Sequence, residues 1–171
     1  LTLSPSHSTI SDLPENLERL STVIALNEAG EVVQAAPLDW CAPLAPPIRD
    51  TRWDWVLAAD CVFWPALFEP LLATMSALVT AATGRGEVTP RMLICVADRL
   101  GRASQFAQLA GESGWCVEEV RVEPAQYETM RTAVRLAATT PGSANSLEAD
   151  AADVDEAASF MPRLLELTRQ P

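Results

Sequence analysis

The sequence contains no lysine, and its basic side chains are few. All twelve are Arg, against 23 acidic side chains, which gives a net charge of −11. Nucleic acid recognition requires a basic patch for the phosphates, so the composition argues against a nucleic-acid partner. The acidic balance is compatible with a basic protein or peptide partner, although surface acidity is also an ordinary source of solubility.

Histidine is nearly absent, and the cysteines lack metal-binding spacing. His7 is the single histidine, and no C-x-x-C pair occurs, so a zinc site has too few ligands and we expect no metal. A disulfide framework is not expected at this length, so we predict free cysteines packed in the core of a protein from a reducing compartment. The four cysteines are Cys41, Cys61, Cys95 and Cys116.

Long uncharged hydrophobic runs are missing as well, so we expect no membrane-spanning segment. The chain of 171 residues is 49% hydrophobic, which suits one domain with a sizeable core. It begins with Leu1 rather than Met. We therefore expect the natural N-terminus, with any targeting signal, to lie upstream, and we expect a cytoplasmic or nuclear location.

Short apolar stretches alternate with helical patterns along most of the chain. This alternation predicts an α/β domain with a mostly parallel sheet. The third strand is apolar nearly throughout, as expected of a central strand covered on both faces. The predicted strands are 8–11, 32–37, 53–59, 91–97 and 115–122. The predicted helices begin near Asp12 and span 65–79 and 103–113.

The C-terminal part has a different composition. Residues 131–137 are a possible last strand, and residues 141–157 are small and acidic, which predicts a flexible linker. The remaining segment, 158–171, is predicted to be a tail with a short helix over 160–168.

Three acids follow three of the predicted strands. Asp12, Asp39 and Asp60 occupy these positions, and ligands of parallel sheets bind beyond the carboxyl ends of the strands. A carboxylate at the end of a second strand can accept hydrogen bonds from both hydroxyls of a ribose. The simpler interpretation of Asp12 and Asp60 is that each caps the N-terminus of the following helix. Trp40 has two interpretations, as a base-stacking ring or as a cover for the core.

Four stretches of the sequence resemble one enzyme family in order and spacing. They read STISDLPENLERLSTVIALN, PLDW, WDWVLAADCVFWPALFEPLL and LICVADRLGRASQFAQLAGESGWCVEEV. Together they resemble the seven-β-strand, S-adenosylmethionine-dependent protein-lysine methyltransferases, in the branch that is also called nicotinamide N-methyltransferase-like. The resemblance covers residues 8–138. It implies a Rossmann-like class I methyltransferase sheet, S-adenosylmethionine as cofactor, and a lysine side chain of a protein as methyl acceptor.

The resemblance also implies roles for individual residues on the cofactor side. Asp12, at the end of the family's second strand, would bind the cofactor ribose. Asp39 and Trp40 belong to a Leu-x-Trp segment that lies at the adenine. Ala59, which precedes the acid after the family's fourth strand, would also contact the cofactor.

On the acceptor side, the resemblance points to the family signature of an acid, two residues and an aromatic ring. Here it reads Asp60-Cys61-Val62-Phe63 and lies where the target amine enters. Asp60 would orient the amine, and Phe63 would form the wall of the channel and present its ring face to a cation.

The sequence departs from the family at its beginning. The first strand, which lies between the family's second and fourth strands, and its glycine-rich loop have no counterpart. We therefore expect residues 8–138 to be a partial methyltransferase domain, from the C-terminal part of a longer enzyme. The alternative is a non-catalytic methyltransferase-like scaffold or assembly subunit. A small-molecule N-methyltransferase is a third interpretation.

Overall fold

The computed structural model describes residues 6–96, 98, 100–121, 125 and 163–170. Its strands are β1 (Ser8–Asp12), β2 (Val33–Pro37), β3 (Trp55–Ala59), β4 (Arg91–Val96), β5 (Trp115–Val120) and β6 (Arg163–Arg169). Its α-helices are α1 (Leu17–Leu26), α2 (Pro46–Arg49), α3 (Phe68–Gly84) and α4 (Arg102–Glu112). Short 3₁₀ turns, Pro14–Asn16 and Pro65–Leu67, lead into α1 and α3. The α/β class is confirmed, and the structure adds the short helix α2, which begins at two prolines and was not predicted.

The described strands form two sheets. In the first, β1 and β2 are parallel, with Asp12 opposite Pro37. In the second, the order is β3-β4-β6-β5, where β3 and β4 are parallel and β6 is antiparallel to both of its neighbours. The chain divides into two compact units accordingly, Leu1–Asp54 with Ala66–Pro90 and Trp55–Pro65 with Arg91–Pro171.

The longest helix of the first unit is α3. Its buried residues are Phe68, Leu71, Leu72, Thr74, Met75, Leu78 and Ala82. With the preceding turn it forms Pro65–Gly84, which is long and apolar enough to cross a membrane by length and composition, at a mean hydropathy of 1.4. A core helix passes the same test, and 44% of this stretch is buried. The helix is therefore weak evidence for a membrane span.

The core of the second unit forms around β4. Met92, Ile94 and Val96 are at most 1% exposed and alternate with partly exposed neighbours, as period-two side-chain geometry requires. Phe106 of α4 and Trp115 of β5 complete this core, and both are fully buried. Burial of each large apolar side chain contributes roughly 1.5–3 kcal/mol, which fixes the sheet that carries part of the candidate site.

The predicted C-terminal helix is wrong, because residues 163–169 form strand β6. Leu165 lies opposite Ile94 of β4 and opposite Glu119 of β5, so β6 is hydrogen-bonded on both edges. Leu165 and Leu167 are each 2% exposed, which is the alternation of a strand. A short apolar run does not reveal that two neighbouring strands leave a gap of one strand's width for it. The predictions for residues 131–137 and 141–157 lie outside the described residues.

Strand β3 differs from its predicted central, fully covered position. Among the described strands it pairs with β4 alone, and Leu57 is 61% exposed. The Asp60 N–H donates to the Cys95 carbonyl at 2.8 Å, so the backbone groups of Leu57 and Ala59 point toward the unpaired edge. The apolar composition of the strand correctly indicates a strand but does not determine which neighbour covers it.

None of the four cysteines forms a disulfide within the described residues, but the prediction that they pack in the core is wrong. Cys41 and Cys116 are exposed, and Cys61 and Cys95 are half-buried. Cys116 follows the buried Trp115 in β5, and the alternation of the strand directs it outward. Cys41 follows the half-buried Trp40, and its position in the turn exposes it.

Candidate functional site

The first part of the candidate site lies at the carboxyl end of β1. The Leu38 N–H donates to the Asp12 carbonyl at 2.8 Å, which continues the parallel pairing one step beyond β2. This bond fixes the start of the Leu38–Trp40 segment beside Asp12. The structure therefore brings together Asp12, Asp39 and Trp40, which the sequence analysis had placed at neighbouring strand ends.

The Asp12 carboxylate is held through one of its two oxygens. Its Oδ1 accepts the Leu13 N–H at 2.7 Å and the Asn16 side-chain amide at 2.9 Å. The Asn16 hydrogen bond, and then that of Leu13, hold the pKa of the Asp12 carboxyl below its usual range. Among the described residues nothing hydrogen-bonds Oδ2, and the side chain is exposed. Asp12 is therefore ionised near neutral pH, with one oxygen available to a ligand.

The capping interpretation of Asp12 is not what the structure shows. The N-cap position of the first turn is Leu13, and that of α1 is Asn16, and neither helix has a side-chain capping hydrogen bond. Asp12 instead bonds the residue next to it and an amide four residues later. These hydrogen bonds orient the Asp12 carboxylate, and the carboxylate does not cap the helix.

Asp39 and Trp40 lie in a tight turn directly after the paired segment. The Asp39 Oδ1 accepts the Cys41 N–H at 2.8 Å, and the Asp39 carbonyl accepts the Ala42 N–H at 3.1 Å. This is the local hydrogen bonding by which Asp stabilises turns. Trp40, at the centre of the turn, is half-buried. Its ring is neither a core side chain nor a fully solvated one, so part of its surface remains open to a stacking partner.

The second part of the candidate site is built around Asp60. Its backbone has φ of 53°, in the left-handed region that few residues other than glycine adopt. Asp is among the exceptions, because its short polar side chain tolerates this conformation. The strand ends here, since the Asp60 N–H makes the last bond of the β3–β4 ladder with Cys95. Such an outlier at a strand end motivates a functional hypothesis.

The Asp60 side chain has no structural partner among the described residues. It is exposed, and within the part of the chain that the structure describes its carboxylate makes no hydrogen bond or ion pair. The N-cap of α3 is Leu67, without a side-chain capping bond, so the capping interpretation of Asp60 is wrong. A free carboxylate in a strained backbone position is unexplained by stability.

The charge of Asp60 is felt by a neighbouring thiol. Burial first, and then the Asp60 carboxylate, raise the pKa of Cys95. Cys95 lies opposite Ala59 in the β3–β4 register. The Cys61 thiol donates to the Ala59 carbonyl at 3.4 Å. Cys95 therefore offers a chemical probe of the charge at Asp60.

Phe63 follows Asp60 in a loop that is anchored by one buried residue. Val62 is 2% exposed, whereas Phe63 is 60% exposed. The loop therefore presents an acid and an aromatic ring to solvent from a fixed base. The structure groups Ala59, Asp60 and Phe63 on the second sheet, separately from the Asp12 group on the first sheet. We expected all three acids at the edge of one sheet, whereas the described strands divide them between two sheets.

A further strand-end acid, Asp98, was missed by the sequence analysis. Its Oδ1 accepts the Ala103 N–H at 3.2 Å and its Oδ2 pairs with Arg163 at 3.1 Å. Arg163 also pairs with Glu119 at 2.9 Å, and these contacts raise the pKa of the Arg163 guanidinium. Its position after β4 was a signal equal to that of the other acids. Both oxygens of Asp98 are therefore occupied by contacts within the fold, to α4 through Ala103 and to β6 through Arg163, which leaves Asp98 a structural residue.

Comparison with known proteins gives a family and a fold. The family model of the lysine methyltransferases matches residues 1–112. Among solved structures, the crystal structure of the [4+2]-cyclase SpnF is similar, with a TM-score of 0.51 at 14% sequence identity. That match covers 96% of this chain and 67% of the cyclase chain. At this identity the similarity speaks for the fold alone. No curated protein matches the chain by sequence.

The matched region includes every residue of both groups described above. It runs from before β1 to the end of α4, which is well over half of the chain. The similarity to a solved structure across nearly the whole chain agrees with the mixed α/β fold, which is Rossmann-like as expected. The chain belongs to the lysine methyltransferase family.

Proposed function

We propose that this chain is a protein-lysine N-methyltransferase that uses S-adenosylmethionine. The observation that carries the proposal is Asp60, an exposed carboxylate with no partner among the described residues, held in a left-handed backbone conformation at the end of β3. Membership in the lysine methyltransferase family supports the reaction class. The identity of the acceptor as a lysine of a protein is the finer step of the proposal.

The cofactor side would use the Asp12 group. The free Oδ2 of Asp12 is suited to accept hydrogen bonds from ribose hydroxyls, since an ionised carboxylate is an acceptor only. Trp40, half-buried in its turn, would stack on the adenine ring, and Asp39 would lie at the edge of that ring. Ala59 would contact the cofactor through the backbone at the end of β3. When bound, S-adenosylmethionine supplies the electrophilic methyl group of its sulfonium.

The acceptor side would use Asp60 and Phe63. A free lysine amine has a pKa near 10.4, so it is an ammonium at neutral pH and has to lose a proton before it accepts a methyl group. The Asp60 carboxylate would attract and orient the ammonium and then the amine. The exposed ring of Phe63 would line the entry and stabilise the cation through its face. Rate enhancement would come mainly from positioning.

The proposal is tested by following labelled methyl groups from S-adenosylmethionine into a mixture of proteins, with mass spectrometry to locate the modified side chain. We expect the label on lysine side chains. Phe63→Tyr keeps an aromatic wall and should retain transfer, whereas Phe63→Ala should open the entry and lose it. Label on a small amine alone, with none on protein, would contradict the choice of acceptor.

A further inference from the structure

Trp64 is the second of two neighbouring aromatic rings that this chain leaves in solvent. Phe63 and Trp64 are each 60% exposed, although Trp is usually well buried. The residue before them, Val62, is 2% exposed, so the loop is packed at its base while both rings point away from the core. Exposed Trp next to a packed anchor is the composition of a binding hot spot.

The backbone on both sides of the ring is restrained. Pro65 follows Trp64 and begins the 3₁₀ turn before α3, and a residue that precedes proline is limited to extended conformations. At the other end of the loop, Asp60 is bonded to Cys95 at 2.8 Å. Since few conformations are open to the loop, little entropy is lost when a ligand contacts Trp64.

The chemistry around Trp64 favours a positively charged ligand. The Asp60 carboxylate, four residues earlier, is exposed and unpaired within the described residues. The whole chain carries a net charge of −11, which attracts a cationic ligand. Trp offers the strongest ring face for a cation, and its attraction for guanidinium groups is greater than that of Phe. One acid and two rings in five residues provide contacts for more than one cation.

We propose that Trp64 is a specificity residue that docks an Arg side chain flanking the target lysine, so that the substrate class is a basic segment of a protein. The proposal rests on the proposed function for the meaning of the target lysine. Asp60 and Phe63 would take the lysine, and Trp64 would take its cationic neighbour. A protein segment with uncharged neighbours would then be a poorer ligand.

The test is a binding titration of the full chain with two labelled peptides, measured by fluorescence anisotropy. One peptide carries a central Lys with Arg on either side, and the other carries citrulline in place of each Arg, which keeps the shape and removes the charge. Trp64→Ala should weaken binding of the Arg peptide about three- to thirty-fold. Trp64→Phe keeps an aromatic ring and should retain most of the parental affinity for the Arg peptide. Val88→Ala, at a side chain outside this loop that is 78% exposed, should leave that affinity unchanged.

The proposal is overturned if the parental chain does not bind the Arg peptide, if Trp64→Ala leaves its affinity unchanged, or if both peptides lose affinity equally. The last result would identify an apolar contact. Methyl transfer to the same peptides is measured separately. Selective loss of Arg-peptide binding without any transfer by the parental chain would refute the proposed function and leave the docking role of Trp64 intact.

Discussion

One edge of β3 has no partner within the part of the chain that the structure describes, and this edge gives a prediction whose size follows from the structure. An apolar edge strand without charge, proline or bulge is a template for pairing with other chains, and β3 has none of these protections. We predict that Leu57→Lys suppresses self-association of the chain. Leu57 is already 61% exposed, so only about two fifths of its side chain is buried. Losing that burial should lower the free energy of unfolding by roughly 1 kcal/mol.

The assay is sedimentation velocity over a range of concentrations, together with thermal unfolding. The parental chain should associate and melt without sharp cooperativity, because the outer edge of β3 has no partner among the described strands and leaves backbone groups unpaired. Leu57→Lys should shift it toward monomer at a small cost in stability. Val88→Lys adds the same charge at an exposed side chain outside β3 and should leave association unchanged. A parental chain that is monomeric and unfolds in one sharp two-state transition would refute this reasoning.

Three further predictions concern other contacts. Asp12→Ala should weaken the binding of S-adenosylmethionine by about 1–3 kcal/mol in calorimetric titration. Asn16→Ala keeps the Asp12 carboxylate and should only raise its pKa. Equal cofactor affinities of Asp12→Ala and the parental chain would mean that Asp12 has a structural role. Arg163 lowers the pKa of Glu119 from 4.5, so this ion pair should stabilise the fold above that pH, and its contribution should be lost as pH falls through the lower folded pKa. On acidification, the free energy of unfolding of the parental chain should therefore fall more than that of Glu119→Gln. The difference should be about 1 kcal/mol at most, because the pair is half-exposed. Leu165→Ala should cost about 2–5 kcal/mol in denaturant unfolding, and a cost under about 1 kcal/mol would mean that β6 is not part of the folded sheet.

The sequence correctly predicted the order of strands β1 to β5 and of helices α1, α3 and α4, though not the short α2, because hydrophobic periodicity is a local property. The core face of α3 and the alternation in β4 can be read from spacing alone. The strand β6 could not be, since seven residues with four apolar or partly apolar positions fit a helix turn as well as a strand. Its conformation is decided by β4 and β5, which are distant in sequence.

The candidate site was predictable in its residues but not in its geometry. Strand-end acids are visible in the sequence, yet Asp12, Asp60 and Asp98 share that feature and differ in their bonding. Asp98 has both oxygens bonded, Asp12 has one, and Asp60 has none among the described residues. These differences depend on which amides and guanidinium groups the folded chain brings near, and on the left-handed backbone at Asp60, which no spacing rule predicts.

In the proposed function, the Asp60 carboxylate serves the acceptor amine rather than the fold. Asp60→Asn keeps the size of the side chain and its tolerance for the left-handed conformation, but it removes the charge. Its matched control is Asp54→Asn, which removes an equal charge from the other end of β3, where Asp54 is exposed and pairs weakly with Arg52 at 3.4 Å. A fall in the pKa of Cys95, followed by alkylation rate, would verify that the charge beside it is gone.

The most direct measurement is the rate of labelled methyl transfer from S-adenosylmethionine to protein by these two variants and the parental chain. We expect Asp60→Asn to keep its melting temperature and cofactor affinity but to lose transfer on the order of a hundredfold, as happens when a reacting group is misplaced. Asp54→Asn should transfer at the parental rate. Transfer by Asp60→Asn at the parental rate would mean that the carboxylate does not serve the acceptor amine and is a structural feature of the strand end.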